Sequence, residues 1–174
     1  MKKLKYHVAV TVDGFIARHD GSFDCFPEHG DHIADYLEAL ESYGTVLMGR
    51  KTYEVGLKAG VTDPYPHMKS YVFSRTLKKT PNPRVEILAG NPTTFVRNLK
   101  EEPGKDIYMC GGGNLAAQLF RQGLIDELIL KVNPVVLGWG IPLVASLGKH
   151  IELDLFDTKV YTSGVVRLAY RVKI

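Results

Sequence analysis

Short apolar runs alternate with amphipathic or polar segments along almost the whole chain. Six runs have the length and composition of buried strands: residues 4–12, 45–49, 70–74, 85–88, 106–110 and 127–136. Three segments between them space their apolar residues as helices do: 31–42, with Asp31 as its expected cap, Asn91 or Thr93 to Lys100, and 114–120. Residues 15–17 are a short apolar return after the first strand, and 18–30 are predicted to be a mobile loop.

Two further apolar segments, 151–161 and 165–173, close the chain. Thr162-Ser163-Gly164 joins them and predicts a β-hairpin. Strands that alternate with helices and finish in a hairpin predict an α/β fold, with a mostly parallel central sheet and an antiparallel edge. Because the 174 residues contain no linker, repeat or low-complexity tract, we expect a single domain over 1–174.

Composition excludes several classes of function. The hydrophobic fraction of 45% is ordinary, no apolar run approaches the roughly 20 residues of a membrane span, and the basic N-terminus lacks a signal-peptide core, so we expect a cytoplasmic protein. The net charge of +3 is spread along the chain, so we expect neither nucleic acid nor membrane as a partner. Cys25 and Cys110 predict no disulfide, and no His/Cys/Asp/Glu set completes a metal site around His29 and His32.

The segment from Asp106 to Phe120 contains the clearest functional signal. An apolar strand runs into Gly111-Gly112-Gly113 and continues as a helix, a geometry that directs free backbone N–H groups at an anion. A phosphate-bearing ligand, most simply a nucleotide cofactor, is one interpretation; a glycine-rich tight turn is the other. The position, two-thirds along the chain, disfavours a Rossmann domain, whose fingerprint lies in the first strand–helix turn.

Two other strand ends carry similar chemistry: Gly49-Arg50-Lys51-Thr52 and Ser74-Arg75. In open α/β sheets, ligands bind beyond the carboxyl ends of the strands, so the three ends predict one shared site. Taken singly, each arginine is better explained as an exposed surface residue. Thr52 is alternatively a helix cap, and Ser74 alternatively the end of a strand.

These strand ends, in this order and spacing, resemble the dihydrofolate reductase fold. Residues 46–54 are similar to its segment that binds NADPH phosphates, 71–75 to its 2′-phosphate and adenine strand, and 107–115 to its pyrophosphate turn. Residues 12–17 and 126–140 resemble a sister group more closely: the reductase domain of the bifunctional riboflavin-biosynthesis deaminase-reductases, and its stand-alone relatives. No zinc-deaminase signature accompanies them, so a one-chain deaminase-reductase is not expected.

The resemblance implies a three-layer fold with helices on both faces of the sheet, a homodimer paired through the C-terminal strands, and NADPH as cofactor. The residues that it implies for cofactor binding are Ala9, Ile16, Gly49, Arg50, Lys51, Thr52, Ser74, Arg75, Cys110, Gly111, Gly112, Gly113, Asn114 and Leu115. Arg50 and Arg75 would favour NADPH over NADH through the 2′-phosphate.

The residues expected to bind substrate resemble the family less closely than those expected to bind the cofactor. Dihydrofolate reductases carry an acid on the first helix, where this chain has Ile33. Asp13 follows a central strand, where partial burial would raise its pKa for proton donation; its other interpretation is an Asp-Gly turn residue. Asp13, Asp35 and Tyr36 are candidates to bind substrate; the alternative for Asp35 is a solvated residue, and for Tyr36 a core aromatic.

The sequence therefore predicts an NADPH-dependent reductase of a small heterocycle, either pterin-like or the 5-amino-6-(5-phosphoribosylamino)uracil of riboflavin synthesis. A dihydrofolate reductase proper, and a nucleotide-binding module without turnover, are the alternatives.

Overall fold

The computed structural model describes residues 1–173, which form ten strands and four helices. The strands are β1 (Leu4–Thr11), β2 (Phe15–Ala17), β3 (Tyr43–Gly49), β4 (Lys69–Phe73), β5 (Val85–Leu88), β6 (Asp106–Gly111), β7 (Glu127–Asn133), β8 (Ile141–Pro142), β9 (Leu153–Val160) and β10 (Val166–Val172). The helices are α1 (Asp31–Leu40), α2 (Arg50–Lys58), α3 (Pro92–Glu101) and α4 (Gly113–Arg121).

Eight strands form one sheet in the order β5-β4-β3-β6-β1-β7-β10-β9. Every pair from β5 to β7 is parallel, whereas β10 runs antiparallel to both β7 and β9. The predicted α/β fold, with its parallel centre and antiparallel C-terminal hairpin, is confirmed. β2 and β8 pair separately as a two-stranded ribbon.

Helices cover both faces of the sheet, because successive residues of a strand point to opposite sides. In β3, Leu47 packs into a core that includes Val96 of α3 and Leu119 of α4. Its neighbour Met48 packs into a second core that includes Tyr53 of α2. This is the predicted three-layer arrangement, and it leaves the carboxyl ends of β1, β3 and β6 at one open edge.

Two boundaries differ from the sequence prediction for clear physical reasons. Strand β7 ends at Asn133 rather than near residue 136, since Pro134 has no amide to donate and the Val135 amide turns back to the Asn133 carbonyl at 2.7 Å. Asp31, expected to cap α1, is instead the first residue of that helix. Its carboxylate accepts hydrogen bonds from the amide and hydroxyl of Thr162 in the β9–β10 turn, at 2.8 and 2.9 Å.

The loop over residues 18–30 contains an internal ion pair and contacts the segment just before β8. Arg18 pairs with Asp24 at 2.6 Å, and His19 stacks on Trp139 with ring centroids 4.0 Å apart. At the opposite edge of the sheet, β9 is exposed along most of its length and presents Val160 to solvent. Subunit pairing through this edge stays a prediction. Within residues 1–173, no helix combines the length and apolar character needed to cross a membrane.

Candidate active site

A cleft of about 1660 Å³ opens beyond the carboxyl ends of the parallel strands. Its walls come from the ends of β1, β3, β4 and β6, the first turns of α2 and α4, one face of α1 and the 18–30 loop. All fourteen residues that the sequence assigned to cofactor binding line this one cleft. The fold therefore brings together four segments that are far apart in the sequence: residues 9–16, 49–52, 74–75 and 110–115.

Two helix N-termini meet at the cofactor end of the cleft. Helix α2 follows Gly49 and α4 follows Gly112, and neither N-terminus has a side chain that caps its amides. The two turns are close neighbours, since a Cβ placed on Gly49 would lie 3.6 Å from the Gly112 amide nitrogen. Uncapped amides and two aligned helix dipoles make this region a favourable site for an anion such as a pyrophosphate.

The glycine turn is packed too tightly for side chains. The peptide bond that joins Gly111 and Gly112 is cis. A Cβ on Gly113 would lie only 2.5 Å from the Pro142 carbonyl oxygen, and one on Gly112 would lie 3.3 Å from the Thr52 Oγ1. The glycines thus allow the backbone, the β8 segment and the Thr52 hydroxyl to approach one another.

The predicted cationic residues are not equivalent. Arg50 forms an ion pair with Glu54 one turn later in α2, with an Nη1–Oε1 distance of 3.0 Å. Arg75 is exposed beyond the end of β4 and has no acidic partner among the described residues. Lys51 is also exposed on the wall of the cleft. Arg75 is therefore the freer of the two arginines for a ligand.

Ser74 organises the turn that presents Arg75. Its Oγ accepts hydrogen bonds from the amides of Thr76 and Leu77, at 3.2 and 2.9 Å. The hydroxyl proton of Ser74 is still available to a ligand, so the same side chain can shape the turn and donate a hydrogen bond.

Asp13 does not line the cleft. Its exposed carboxylate accepts hydrogen bonds from the Thr11 hydroxyl at 2.6 Å and from the Gly138 amide at 2.7 Å. The Thr11 hydroxyl, followed by the amides of Leu137 and Gly138, lowers the pKa of Asp13 to about 2. The expected rise in this pKa is thus wrong, because hydrogen bonds to the charged form outweigh burial. The contacts instead make Asp13 a clamp between the end of β1 and the 137–138 turn.

Asp35 also lies outside the cleft lining, whereas its neighbour Tyr36 belongs to it. The Asp35 carboxylate accepts hydrogen bonds from Lys159 Nζ at 2.6 Å and from the Tyr161 hydroxyl at 2.7 Å. The Lys159 hydrogen bond, followed by that of Tyr161, lowers the pKa of Asp35. Asp35 thus ties α1 to the β9–β10 hairpin. Successive residues of a helix are rotated by about 100°, so Tyr36 faces the cleft while Asp35 faces the hairpin.

Beyond the glycine turns, a cluster of tyrosines forms the inner end of the cleft. The Tyr36 and Tyr108 hydroxyls are 2.9 Å apart, and the Tyr65 hydroxyl lies 3.4 Å from the Cys110 Sγ. The Lys131 Nζ lies 3.3 Å from the centroid of the Tyr36 ring. All of these residues line the cleft, and we call this set, together with His7, the tyrosine–lysine end.

The sequence analysis missed most of this end. His7 lies in β1 and Lys131 in β7, each within a strand that otherwise reads as a buried apolar run. A histidine or lysine at such a position was the available signal, because charged side chains are seldom buried without a role. Tyr65 comes from the loop after α2, where the sequence gives no signal.

Burial sets the protonation of this end. Burial, together with the positive charge of Lys131, lowers the pKa of His7 to about 3. The His7 Nε2 is buried and has no hydrogen-bond partner among the described residues. Burial also lowers the pKa of Lys131 to about 8 and raises the pKa of both Tyr108 and Cys110. At neutral pH, His7 is therefore neutral, Tyr108 and Cys110 are protonated, and Lys131 carries the positive charge.

Ile33 lines the cleft at the position where the resemblance would require an acid. The acidic residues on the walls of the cleft are Asp20 and Glu28 of the exposed loop and Glu54, which is paired with Arg50. Over residues 1–173, no group of three or more His, Cys, Asp or Glu side chains has the arrangement of a metal site. The chemistry available at the tyrosine–lysine end is that of protonated tyrosines, a thiol, a neutral imidazole and one ammonium group.

The chain is similar to two curated relatives of nearly the same length. It is 33% identical to the uncharacterized protein YyaP of Bacillus subtilis (strain 168), over 97% of this chain and 94% of that protein. It is 34% identical to the uncharacterized protein YwjB of the same organism, over 94% of this chain and 95% of that protein.

Solved structures share the fold. A protein of Shewanella sp. PV-4 named for riboflavin biosynthesis has a TM-score of 0.85, 23% identity and full coverage of both chains. The deaminase/5-amino-6-(5-phosphoribosylamino)uracil reductase of Thermotoga maritima has a TM-score of 0.72 and 15% identity, over 99% of this chain and 57% of that one. Dihydrofolate reductase of Enterococcus faecalis, complexed with NADP(H), has a TM-score of 0.73 and 14% identity, over 99% and 97%.

The dihydrofolate reductase-like fold expected from the three strand ends is thus confirmed. A sequence model of the RibD C-terminal domain matches residues 2–167. This chain belongs to the RibD C-terminal domain family.

Proposed function

We propose that this protein is an NADPH-dependent reductase of a small heterocycle, of the 5-amino-6-(5-phosphoribosylamino)uracil reductase type. The observation that carries the proposal is the pair of uncapped helix N-termini, α2 and α4, which converge on the same cleft as the unpaired Arg75. Family membership supports it, and so does the NADP(H) bound in the dihydrofolate reductase with the same fold.

Each part of the cleft has a task in this proposal. Bound NADPH supplies the hydride. The amides that follow Gly49 and Gly112 bind its pyrophosphate, and Arg75 with Ser74 binds the 2′-phosphate. Ala9 and Ile16, which both line the cleft, would border the nicotinamide, and the substrate would then bind at the tyrosine–lysine end. The tyrosines there exclude water and orient the substrate ring.

Ile33 favours a pyrimidine-type substrate over folate. An apolar side chain on α1 offers no carboxylate to hold and protonate a pterin ring. Dihydrofolate reduction is the second candidate, carried by the shared fold. A nucleotide-binding module without turnover is the third, and it predicts NADPH binding with no oxidation in the presence of either substrate.

A fluorescence titration with NADPH and NADH tests the cofactor site. Arg75→Ala removes one charge-assisted phosphate contact, so NADPH affinity should fall about ten- to a hundredfold. NADH affinity should hardly change, because NADH lacks the 2′-phosphate. Lys149→Ala, an exposed cation outside the cleft, is the matched control.

Equal affinity of the wild-type protein for the two nucleotides would contradict the assignment of Arg75. Binding of neither nucleotide would remove the reductase proposal altogether.

A further inference from the structure

Lys131 is a largely buried cation that faces the cleft without an acidic partner. Its ammonium lies against the Tyr36 ring, and among residues 1–173 it takes part in no ion pair. Burying an unpaired charge is costly, so such a lysine is seldom retained for packing alone. An electron-rich group of a ligand would compensate this charge.

The strand register places Lys131 beside the expected nicotinamide position. Lys131 of β7 pairs with Ala9 of β1 and with Arg167 of β10. Paired residues in neighbouring strands project to the same face, so Lys131 and Ala9 share one side of the sheet. Ala9 borders the nicotinamide in the proposed function. The Lys131 side chain therefore leaves the sheet next to the residue that would border the nicotinamide, and on the same face.

Several titratable or charged groups face Lys131 from the surrounding elements. They are His7 on β1, Tyr108 and Cys110 on β6, Arg167 on β10, Tyr36 on α1, and Tyr65 in the loop after α2, whereas Asp35, the next residue on α1, lies outside the cleft lining. Asp35 is occupied by Lys159 and Tyr161, and Arg167 is paired with Asp157 at 2.5 Å. Among these groups, none is a free anion at neutral pH. The acidic group that acts on Lys131 is the Cys110 thiol, which is buried and protonated.

We propose that Lys131 binds the electron-rich oxygen or nitrogen of the substrate and donates the proton that completes its reduction. This inference rests on the proposed function. The hydride from the nicotinamide forms a C–H bond at the carbon of a polarised C=O or C=N group. The π electron pair moves to the heteroatom, which takes a proton from the Lys131 ammonium. The carbon is reduced, NADPH is oxidised to NADP⁺, and the neutral amine of Lys131 regains its proton from water.

The neighbouring groups are poorer donors. Burial holds Tyr108 and Cys110 in their protonated forms, because their conjugate anions are unstable there. His7 has a pKa of about 3, so it is neutral at neutral pH and has no ring proton to spare as an acid; its Nδ1 lies 3.2 Å from the Tyr43 hydroxyl. Lys131, with a pKa of about 8, is protonated at neutral pH and can still release its proton.

The proposal also defines the substrate class. The atom next to Lys131 is neutral or negative in the bound substrate and gains negative charge during hydride transfer. A heterocycle that carries a positive charge at this position is disfavoured, because the cluster supplies no carboxylate to balance it.

The first test compares turnover in Lys131→Met, Lys131→Arg and a matched control, Lys149→Met. The assay follows NADPH oxidation with 5-amino-6-(5-phosphoribosylamino)uracil and, separately, with dihydrofolate. Both Lys131 variants should lose about 10²- to 10⁴-fold in kcat, because neither methionine nor a guanidinium donates a proton at neutral pH. Wild-type kcat should fall as the pH rises through about 8, where Lys131 loses its proton. A Lys131→Met enzyme with normal kcat and the same alkaline limb would overturn the proposal.

The second test needs no turnover. Calorimetry measures binding of barbiturate, a pyrimidine that is an anion at neutral pH, and of neutral uracil, to protein with and without NADP⁺. Barbiturate should bind at least about tenfold more tightly than uracil, a difference that converts to about 1.4 kcal/mol. The preference should disappear in Lys131→Met, survive in Lys131→Arg and weaken above about pH 8 in the wild type.

Equal binding of the two pyrimidines, or a preference that survives in Lys131→Met, would refute the role of Lys131 even if NADPH binds. Failure of NADPH to bind, with the barbiturate preference intact, would remove the proposed reductase and leave the anion-binding site. The two failures are thus distinguishable.

Discussion

The two ends of the cleft are built from different parts of the chain. The cofactor end is built mainly from backbone, namely three glycines, two helix N-termini and a turn shaped by Ser74, to which Arg75 adds a charged side chain. The tyrosine–lysine end consists of side chains contributed by β1, α1, β6, β7 and a loop. A nucleotide can be held by amides, whose positions the fold fixes, whereas substrate choice and proton transfer need particular side chains. The first end therefore suits a common cofactor, and the second can differ between relatives that share the fold.

The largest effect is expected at the cofactor end, when a side chain is added at a position that has room only for glycine. Gly113→Ala brings a Cβ to 2.5 Å from the Pro142 carbonyl oxygen, so β8 or the first turn of α4 must move. We expect a loss of about 3 kcal/mol in the free energy of unfolding, measured by urea denaturation, together with weaker NADPH binding. Gly90→Ala, where a Cβ meets nothing within 4 Å, is the control for stability. Similar midpoints for the two variants would show that the glycine turn tolerates side chains.

The tyrosine–lysine end should instead be sensitive to acid. The pKa of His7 is about 3 in the folded protein and near 6.5 in the unfolded chain, so the unfolded state binds more protons between these values. Stability is then lost as the pH falls below about 6.5, by about 2 kcal/mol between pH 7 and about pH 5. His7→Gln should flatten this part of the profile, whereas His150→Gln, in an exposed loop, should not. An unchanged profile in His7→Gln would mean that other groups control the acid response.

A change outside both ends should have the smallest effect. Asp13→Asn leaves the cleft lining intact and weakens the clamp on the 137–138 turn. Because the pKa of Asp13 is about 2, its carboxylate has no proton to donate at neutral pH, and kcat should change by less than about threefold. Measured turnover that falls a hundredfold or more would restore Asp13 as the proton donor.

The same contrast explains how much the sequence could predict. The strand ends at Gly49, Ser74 and Gly111 are local patterns, and each one indicates backbone geometry without knowledge of its neighbours. The alternation of strands and helices likewise predicted the mostly parallel sheet with its antiparallel edge, whereas the helices on both faces were expected from the family resemblance. Lys131 and His7 become meaningful only when β7 pairs with β1, a parallel pairing between residues more than a hundred positions apart. Asp13 and Asp35 were predicted by position alone, and their partners at 137–138 and 159–161 come from distant segments.

The stacking of His19 on Trp139 has a spectroscopic consequence. Trp139 is the single tryptophan of the chain, and its ring lies parallel to an imidazole from the loop that walls one side of the cleft. An indole in contact with a histidine ring changes its emission when the two separate. Tryptophan emission from this protein should therefore report movement of the 18–30 loop in real time and without an added label.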